Sequence, residues 1–252
     1  MNTIQFACVS RCEMIALACI LAIGSMRTAD AATYSQIESP FAVHFPFPIP
    51  NNNVYGLSQS DTSGGGFDNF ANVYDNFSFA TDMSVTNFSW IGIYELDPGA
   101  IDPLDQGPLA DSFTVNIYSD AAGQPGGLVR SVSEVSANET ALSDGIYSYS
   151  LDIAPLGVIG GTDYWFSAVA NLDASLADGN TWGVAYSPLG DGTSYSDIET
   201  FEGSGVFDSQ FETANLAFSV SAVPEPATGI ALLVLGGAAA YRRRLQNRKA
   251  AV

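Results

Sequence analysis

The sequence predicts an all-β protein, an antiparallel β-sandwich or jelly roll of about nine strands. Three observations carry that expectation. Short runs rich in aromatic and β-branched residues alternate apolar with polar at a period of two. Residues that preset a turn or tolerate positive φ separate the runs. Within the body, no stretch of about 12 residues or more repeats at a helical period.

The N-terminus is unlike the body. A polar start with one basic residue, Arg11, leads into the apolar run MIALACILAIG (Met14–Gly24), and small residues follow at Ala29 and Ala31. A short basic region, a short apolar core and an A-x-A site make a secretory signal peptide, cleaved after Ala31. A lipoprotein signal centred on Cys19 fits less well, because the apolar run continues past that cysteine. Next comes Thr33–Asn53 with its run FPFPIPNNN, which reads as extended chain: each proline lacks a donor and biases its predecessor to extended geometry. SQSDTSGGGFDN (Ser58–Asn69) reads as a flexible loop. Residues 32–72 are therefore expected to be an extended, flexible lead-in to a β domain at 73–222.

The strand runs follow in order. VYDNFSFA sets Tyr74 apart from the alternating pair Phe77 and Phe79. In VTNFSWIGIYE, Phe88, Trp90, Gly92 and Tyr94 share one face, with Ile91 and Ile93 on the other. SFTVNIYS alternates through Phe113, Val115 and Ile117, and GIYSYSLDIA through Tyr147, Tyr149, Leu151 and Ile153. GLVRSVSEVS, DYWFSAVAN, TWGVAYSP and TSYSDIE add four runs, and NLAFSVSA closes the series through Leu216, Phe218 and Val220. DAAGQPGG (Asp120–Gly127) and LGDGTS (Leu189–Ser194) are turns, and Glu95–Ser112 is a longer loop.

Composition limits the chemistry. All three cysteines, Cys8, Cys12 and Cys19, lie in the predicted signal, so the mature chain has no disulfide and no thiolate. Of the 27 acidic residues, 24 fall between residues 32 and 222, since Glu13, Asp30 and Glu225 lie outside. Arg130 is the one basic residue in that range, which gives it a net charge of about −23. Such a surface repels nucleic acid and anionic lipid. The single histidine, His44, sits among prolines, where a stray linker histidine fits better than a triad base, and there is no lysine before Lys249, so Schiff-base chemistry has no candidate in the body. Calcium is the ionic candidate, because it takes several oxygens and two loops cluster them. Those carboxylates are Asp97, Asp102 and Asp105 in one loop and Asp191 and Asp197 in the other. Trp90, Trp165 and Trp182 are candidates for a sugar-stacking platform, against a default of core packing.

At the C-terminus, VPEPATGIALLVLGGAAAYRRR places two prolines around Glu225, then an apolar run, then Arg242, Arg243 and Arg244. Thr228–Tyr241 is 14 residues, about 21 Å as a helix, against a hydrocarbon core of roughly 30 Å. It is expected to be a single, short transmembrane helix. Its arginines stay cytoplasmic by the positive-inside rule.

The order of these three parts, residues 223–252, resembles the PEP-CTERM sorting signal, a segment also known as an ice-binding-protein C-terminal domain. The resemblance implies recognition of Pro224, Glu225 and Pro226 by exosortase, a membrane-embedded processing enzyme. Thr228–Tyr241 would be the span and Arg242–Arg244 its stop. It further implies a Gram-negative-type bacterium and a precursor held in the inner membrane before delivery to the cell surface or matrix. The ice-binding label describes the tail alone and says nothing of antifreeze activity. YDNFSF, VTNFSWIGIY, FTVNIYSDAAGQPGGLV and TDYWFSAVAN are similar to an all-β domain common among such proteins.

The functional expectation is an exported, non-enzymatic surface or matrix protein that binds exopolysaccharide, with calcium as the one candidate ion. Two alternatives stand beside it. One is a secreted carbohydrate-active enzyme, for which a carboxylate pair would suffice. The other is an uncut, membrane-anchored surface protein.

Overall fold

Period-two alternation buries one face of a strand, and two such faces must cover each other. The computed structural model realises this as two sheets, and it describes residues 31–39, 55–61, 71–95, 110–143, 145–172, 181–199 and 207–225. In chain order the strands are β1 (Ala32–Ser35), β2 (Tyr55–Leu57), β3 (Gln59–Asp61), β4 (Ala71–Phe77) and β5 (Met83–Glu95). Then come β6 (Ala110–Asp120), β7 (Pro125–Val135), β8 (Asn138–Ser143), β9 (Ile146–Val158) and β10 (Tyr164–Leu172). The last are β11 (Thr181–Ser187), β12 (Ser194–Glu199), β13 (Phe207–Glu212), β14 (Asn215–Leu216) and β15 (Phe218–Pro224). No helix occurs among the described residues.

One sheet runs β1-β15-β5-β11-β14, with β9 also on β5, β8 on β9 and β2 on β11. The other runs β13-β12-β4-β3-β10-β6-β7, with β4 also pairing β10. Pairing is antiparallel except where β3 lies parallel to β10. All nine predicted runs contain a strand. The expected lead-in differs: Ala32–Ser35 is paired to β15, and Tyr55–Asp61 holds two strands where a loop was expected from Ser58. These segments are short and polar and carry too few alternations to show a period. Ser58 is where the chain passes between the sheets. Its N–H donates to the Trp182 carbonyl at 3.1 Å, and its carbonyl accepts from Ala170 N at 3.1 Å. At the other end, β15 continues through Val223 and Pro224 and so enters the expected sorting signal. The signal peptide and the C-terminal span lie outside the described residues, as do Ala29, Pro226, Arg242, Arg243 and Arg244.

Aromatic rings fill the space between the sheets. Phe166 of β10 stacks on Phe88 of β5 at 5.1 Å and on Phe218 of β15 at 4.9 Å, with interplanar angles of 15° and 8°. Phe113 of β6 reaches Trp90, Tyr149 and Trp182 at 5.4, 4.6 and 5.3 Å. As the alternation predicts, Phe88, Trp90 and Tyr94 face this core. Ile91 and Ile93 point the other way, into a smaller cluster with Tyr55, Ala185 and Ala217. Gly92 is in phase with the core residues because the Trp182 indole occupies its place: a Cβ there would lie 2.5 Å from the ring.

Gly92→Ala is therefore expected to lower stability by about 1–3 kcal/mol, since a fully buried indole cannot move aside without strain. Gly127→Ala, which meets only the Ser119 hydroxyl at 3.7 Å, is expected to stay within about 0.5 kcal/mol of wild type. Denaturant midpoints at equal m-value check both.

Candidate functional site

Three regions bring polar or exposed aromatic groups together. The first is the point where the chain leaves the fold. β15 pairs with β5 from Phe218 opposite Trp90 to Pro224 opposite Met83, with an irregularity at Ser221/Ala222. β1 covers its other side only as far as Ala222. Pro224, which has no N–H to donate, thus sits where the ladder ends. Glu225 follows, exposed, with its carboxylate lying over Gly157 of β9. Beside this exit is the β9–β10 turn. There Gly160 N donates to Asp82 Oδ1 at 2.9 Å, and Gly161 N donates to the Phe79 carbonyl at 2.7 Å. This fixed turn leaves Ile159 64% exposed.

The second region is the outer face of the seven-stranded sheet. Tyr74, Tyr195 and Phe211 are register partners across β4, β12 and β13. Their rings meet at 6.2 Å and 5.2 Å, and Tyr118 of β6 extends the row to the other side of Tyr74 at 5.4 Å. Polar groups run alongside. Tyr74 Oη donates to Asp197 Oδ2 at 3.0 Å and accepts from Asn72 Nδ2 at 2.9 Å. Ser209 donates to the other oxygen of Asp197, and Ser167 donates to Asn72 Oδ1. Burial, and after it the neighbouring Asp197 charge, holds the Tyr74 phenol well above its usual range, so it remains a donor. Tyr74 is buried, Tyr195 is half-buried, and Phe211 at the sheet edge is 53% exposed.

The third region is a buried carboxylate between the sheets. Asp75 of β4 is in phase with the core residues Val73 and Phe77 and has no exposed surface. Its Oδ1 accepts from Asn76 N at 2.7 Å, and its Oδ2 accepts from Leu216 N of β14 at 2.6 Å. With its amide nitrogen turned toward them, Gln36 donates to Asp75 Oδ2 and to the Leu216 carbonyl, both at 2.8 Å, and accepts from Tyr34 Oη at 2.6 Å. Desolvation pushes the Asp75 carboxyl well above the usual carboxylate range, against the lowering effect of these donors.

The candidate residues fall as follows. Trp90 and Trp182 are fully buried in the core between the sheets. Trp165 is on the outer face beside the aromatic row, register partner to Asn76 and Tyr118, and is also buried, with its Nε1 donating to Asp120 Oδ1 at 2.9 Å. None of the three presents a ring face to solvent. A row of Phe211, Tyr195, Tyr74 and Tyr118 lies on that outer face instead, and alternation in SYSD and SQFE is the only trace of it in the sequence. Asp191 accepts from Asn76 Nδ2 at 3.0 Å and from Thr193 N at 2.9 Å, in the turn before β12. Asp197 belongs to the aromatic row. Asp97, Asp102 and Asp105 lie outside the described residues, as does His44. Among the described residues no three carboxylate, histidine or cysteine groups gather as metal ligands.

The fold and its exit define a class: a two-sheet β protein whose last strand runs directly into a C-terminal sorting segment. Residues 222–244 match the family model of the PEP-CTERM protein-sorting motif. The chain carries that motif, which marks it as an exported protein sorted by exosortase. No curated protein and no solved structure matches it.

Replacing Asp75 with Ala is expected to cost about 1–3 kcal/mol for each buried donor left unpaired. Its pH effect follows from the raised folded pKa. The unfolded carboxyl, near pH 3.9, releases its proton first. The stability contributed by Asp75 is thus fully present below that pH and is lost as pH rises through the folded pKa. Chemical denaturation of wild type and Asp75→Asn across pH is expected to show wild type losing ground to the variant as pH rises above about 4.

Proposed function

We propose that this protein is a non-enzymatic component of the cell envelope or extracellular matrix, and that it binds polysaccharide on the outer face of its seven-stranded sheet. In this reading an N-terminal signal starts export, and the apolar tail holds the precursor in the inner membrane of a Gram-negative-type cell. Exosortase then removes the tail.

The aromatic row is the observation that carries the ligand class. A pyranose offers an apolar C–H face and a rim of hydroxyls. It needs ring surfaces flanked by fixed acceptors and donors. Phe211 and Tyr195 supply rings at the open edge, and the half-buried Asp197 supplies a carboxylate held in place by Tyr74 and Ser209. The surrounding charge favours a neutral or basic glycan over an anionic one.

Among the described residues, the carboxyls whose pKa is raised, the usual mark of an acid catalyst, do not favour catalysis. Asp75 is sealed between the sheets, and Glu139, raised by partial burial, sits on the edge strand β8. Counted across β8, β9, β5 and the strands beyond, Glu139 and Leu216, the partner of Asp75, are separated by three or four strand spacings, roughly 14–19 Å. Paired glycosidase carboxyls stand roughly 5–9.5 Å apart.

Titration calorimetry of the purified protein is expected to show binding to a neutral polysaccharide and weaker binding to an anionic one. Phe211→Ala and Tyr195→Ala are each expected to weaken binding about three- to tenfold, the scale of one lost aromatic contact. Unchanged affinity in both variants would remove this face from consideration. Release of reducing ends from the polysaccharide would replace the binding reading with the enzymatic one.

A further inference from the structure

The sorting reading leaves open how the folded body stands relative to the membrane. The chain's own geometry answers this. Pro224 is the last paired residue of β15. Three residues, Glu225, Pro226 and Ala227, then precede the apolar run that begins at Thr228. Fully extended, three residues reach about 10–11 Å. The sandwich therefore has no room to stand away from a bilayer that the run enters. The N-terminal side agrees. Ala32, first residue of β1, pairs with Ala222, so the chain enters and leaves the fold at the same end, and the predicted signal cleavage site adjoins it.

That end has a defined surface. Pro224 pairs with Met83, and Met83 pairs with Val158. Ile159 thus follows a residue only two strands from the exit, about 10 Å away. It is 64% exposed, Val223 is 42% exposed, and both are large apolar side chains where a turn or strand end would ordinarily be polar. Leu189 is also exposed, in the turn that leads into β12 at Ser194, the register partner of Asp75. The β9–β10 turn is tied to Asp82 and Phe79 by the two hydrogen bonds given above, so Ile159 is held outward.

We infer that this end of the sandwich is a membrane-docking surface. In the uncut precursor, Ile159 and Val223 rest in the outer interface of the bilayer that the tail enters. The inference depends on the tail entering the bilayer, as proposed above. Asp82, Asp163 and Glu225 share this end, so docking is apolar in origin and weakens as the lipid becomes anionic. The consequence for sorting is positional: the first proline of the motif is fixed in a strand, and the rest of the motif is presented at the membrane surface.

The test uses the full chain with Cys8, Cys12 and Cys19 replaced by serine, reconstituted in phosphatidylcholine vesicles. Three single-cysteine variants carry an environment-sensitive fluorophore: Ile159→Cys, Leu142→Cys and Ala238→Cys. Leu142 is an exposed apolar control on β8 at the opposite end, beside Ile146 and its partner Ile93. Ten residues along β5 separate that end from Met83, about 33 Å. Ala238 lies in the apolar run and reports insertion. Quenching by lipid-borne nitroxide and a blue shift at positions 159 and 238, with neither at 142, is the expected result. Quenching at 238 alone overturns the docking surface and leaves the membrane tail standing. No quenching at 238 overturns both. Protection of position 159 only after exosortase is added assigns the surface to the enzyme and overturns docking to lipid.

Discussion

The fold depends on aromatic rings packed between two sheets, because the composition leaves it little else. The body has no cysteine to form a disulfide and one arginine against 24 carboxylates, so neither covalent links nor an ion-pair network can join the sheets. Stacked and edge-on rings do so instead, from Phe88, Phe166 and Phe218 near the middle to Trp90, Phe113, Tyr149 and Trp182 farther along. Each ring brings a large apolar area at a low cost in side-chain entropy, and the pairs add their own electrostatic preference. The glycine at position 92 belongs to the same arrangement: the core is so fully occupied by indole that one strand gives up its side chain.

The acids are accommodated by neutral donors. Backbone amides serve Asp82, Asp75, Asp120 and Asp191, hydroxyls serve Asp197 and Glu212, and an indole N–H serves Asp120. A carboxylate that accepts from amides and hydroxyls keeps its charge at the surface without needing a cation. Among the described residues only Asp75 carries this into the interior, where its donors come from both sheets. It joins β4 to β14 and Gln36, and burial drives its pKa upward. A buried carboxyl tied to donors from both sheets favours one register of the sheets, because any slip would strand it.

Strands with strong alternation were legible from the sequence, including which residues face the core. Phe88, Trp90 and Tyr94 are inward and Ile91 and Ile93 outward, as the period requires. The tail was legible because its three parts are contiguous. β1, β2, β3, β8 and β13 were not legible as strands, since each is at most six residues and several are mostly polar. They are strands because their neighbours offer unpaired edges. The aromatic row was hidden for a different reason. Tyr74, Tyr118, Tyr195 and Phe211 come from four strands, and only pairing of the sheet places them side by side. The tryptophans, in contrast, were conspicuous as residue types, but their apolar strands buried them. Asp75 did leave a trace: in NVYDNF it is the acid in phase with Val73 and Phe77.

The position of β15 links fold to sorting. It lies between β1 and β5, not at an edge, so the eight-stranded sheet is incomplete until Pro224 has joined it. Its pairing with β1 brings Ala32 to Ala222, the two ends of the body, and closing so long a loop is entropically late. Completion of the fold and exposure of the motif are therefore tied to the same few residues. A cut beyond Pro224 removes no residue of β15 and leaves its pairing with β5 whole. A cut before it would strip β5 of part of its partner. β15 ends at the first proline of the motif, so the described strands stop where the residues that a sorting enzyme would recognise begin.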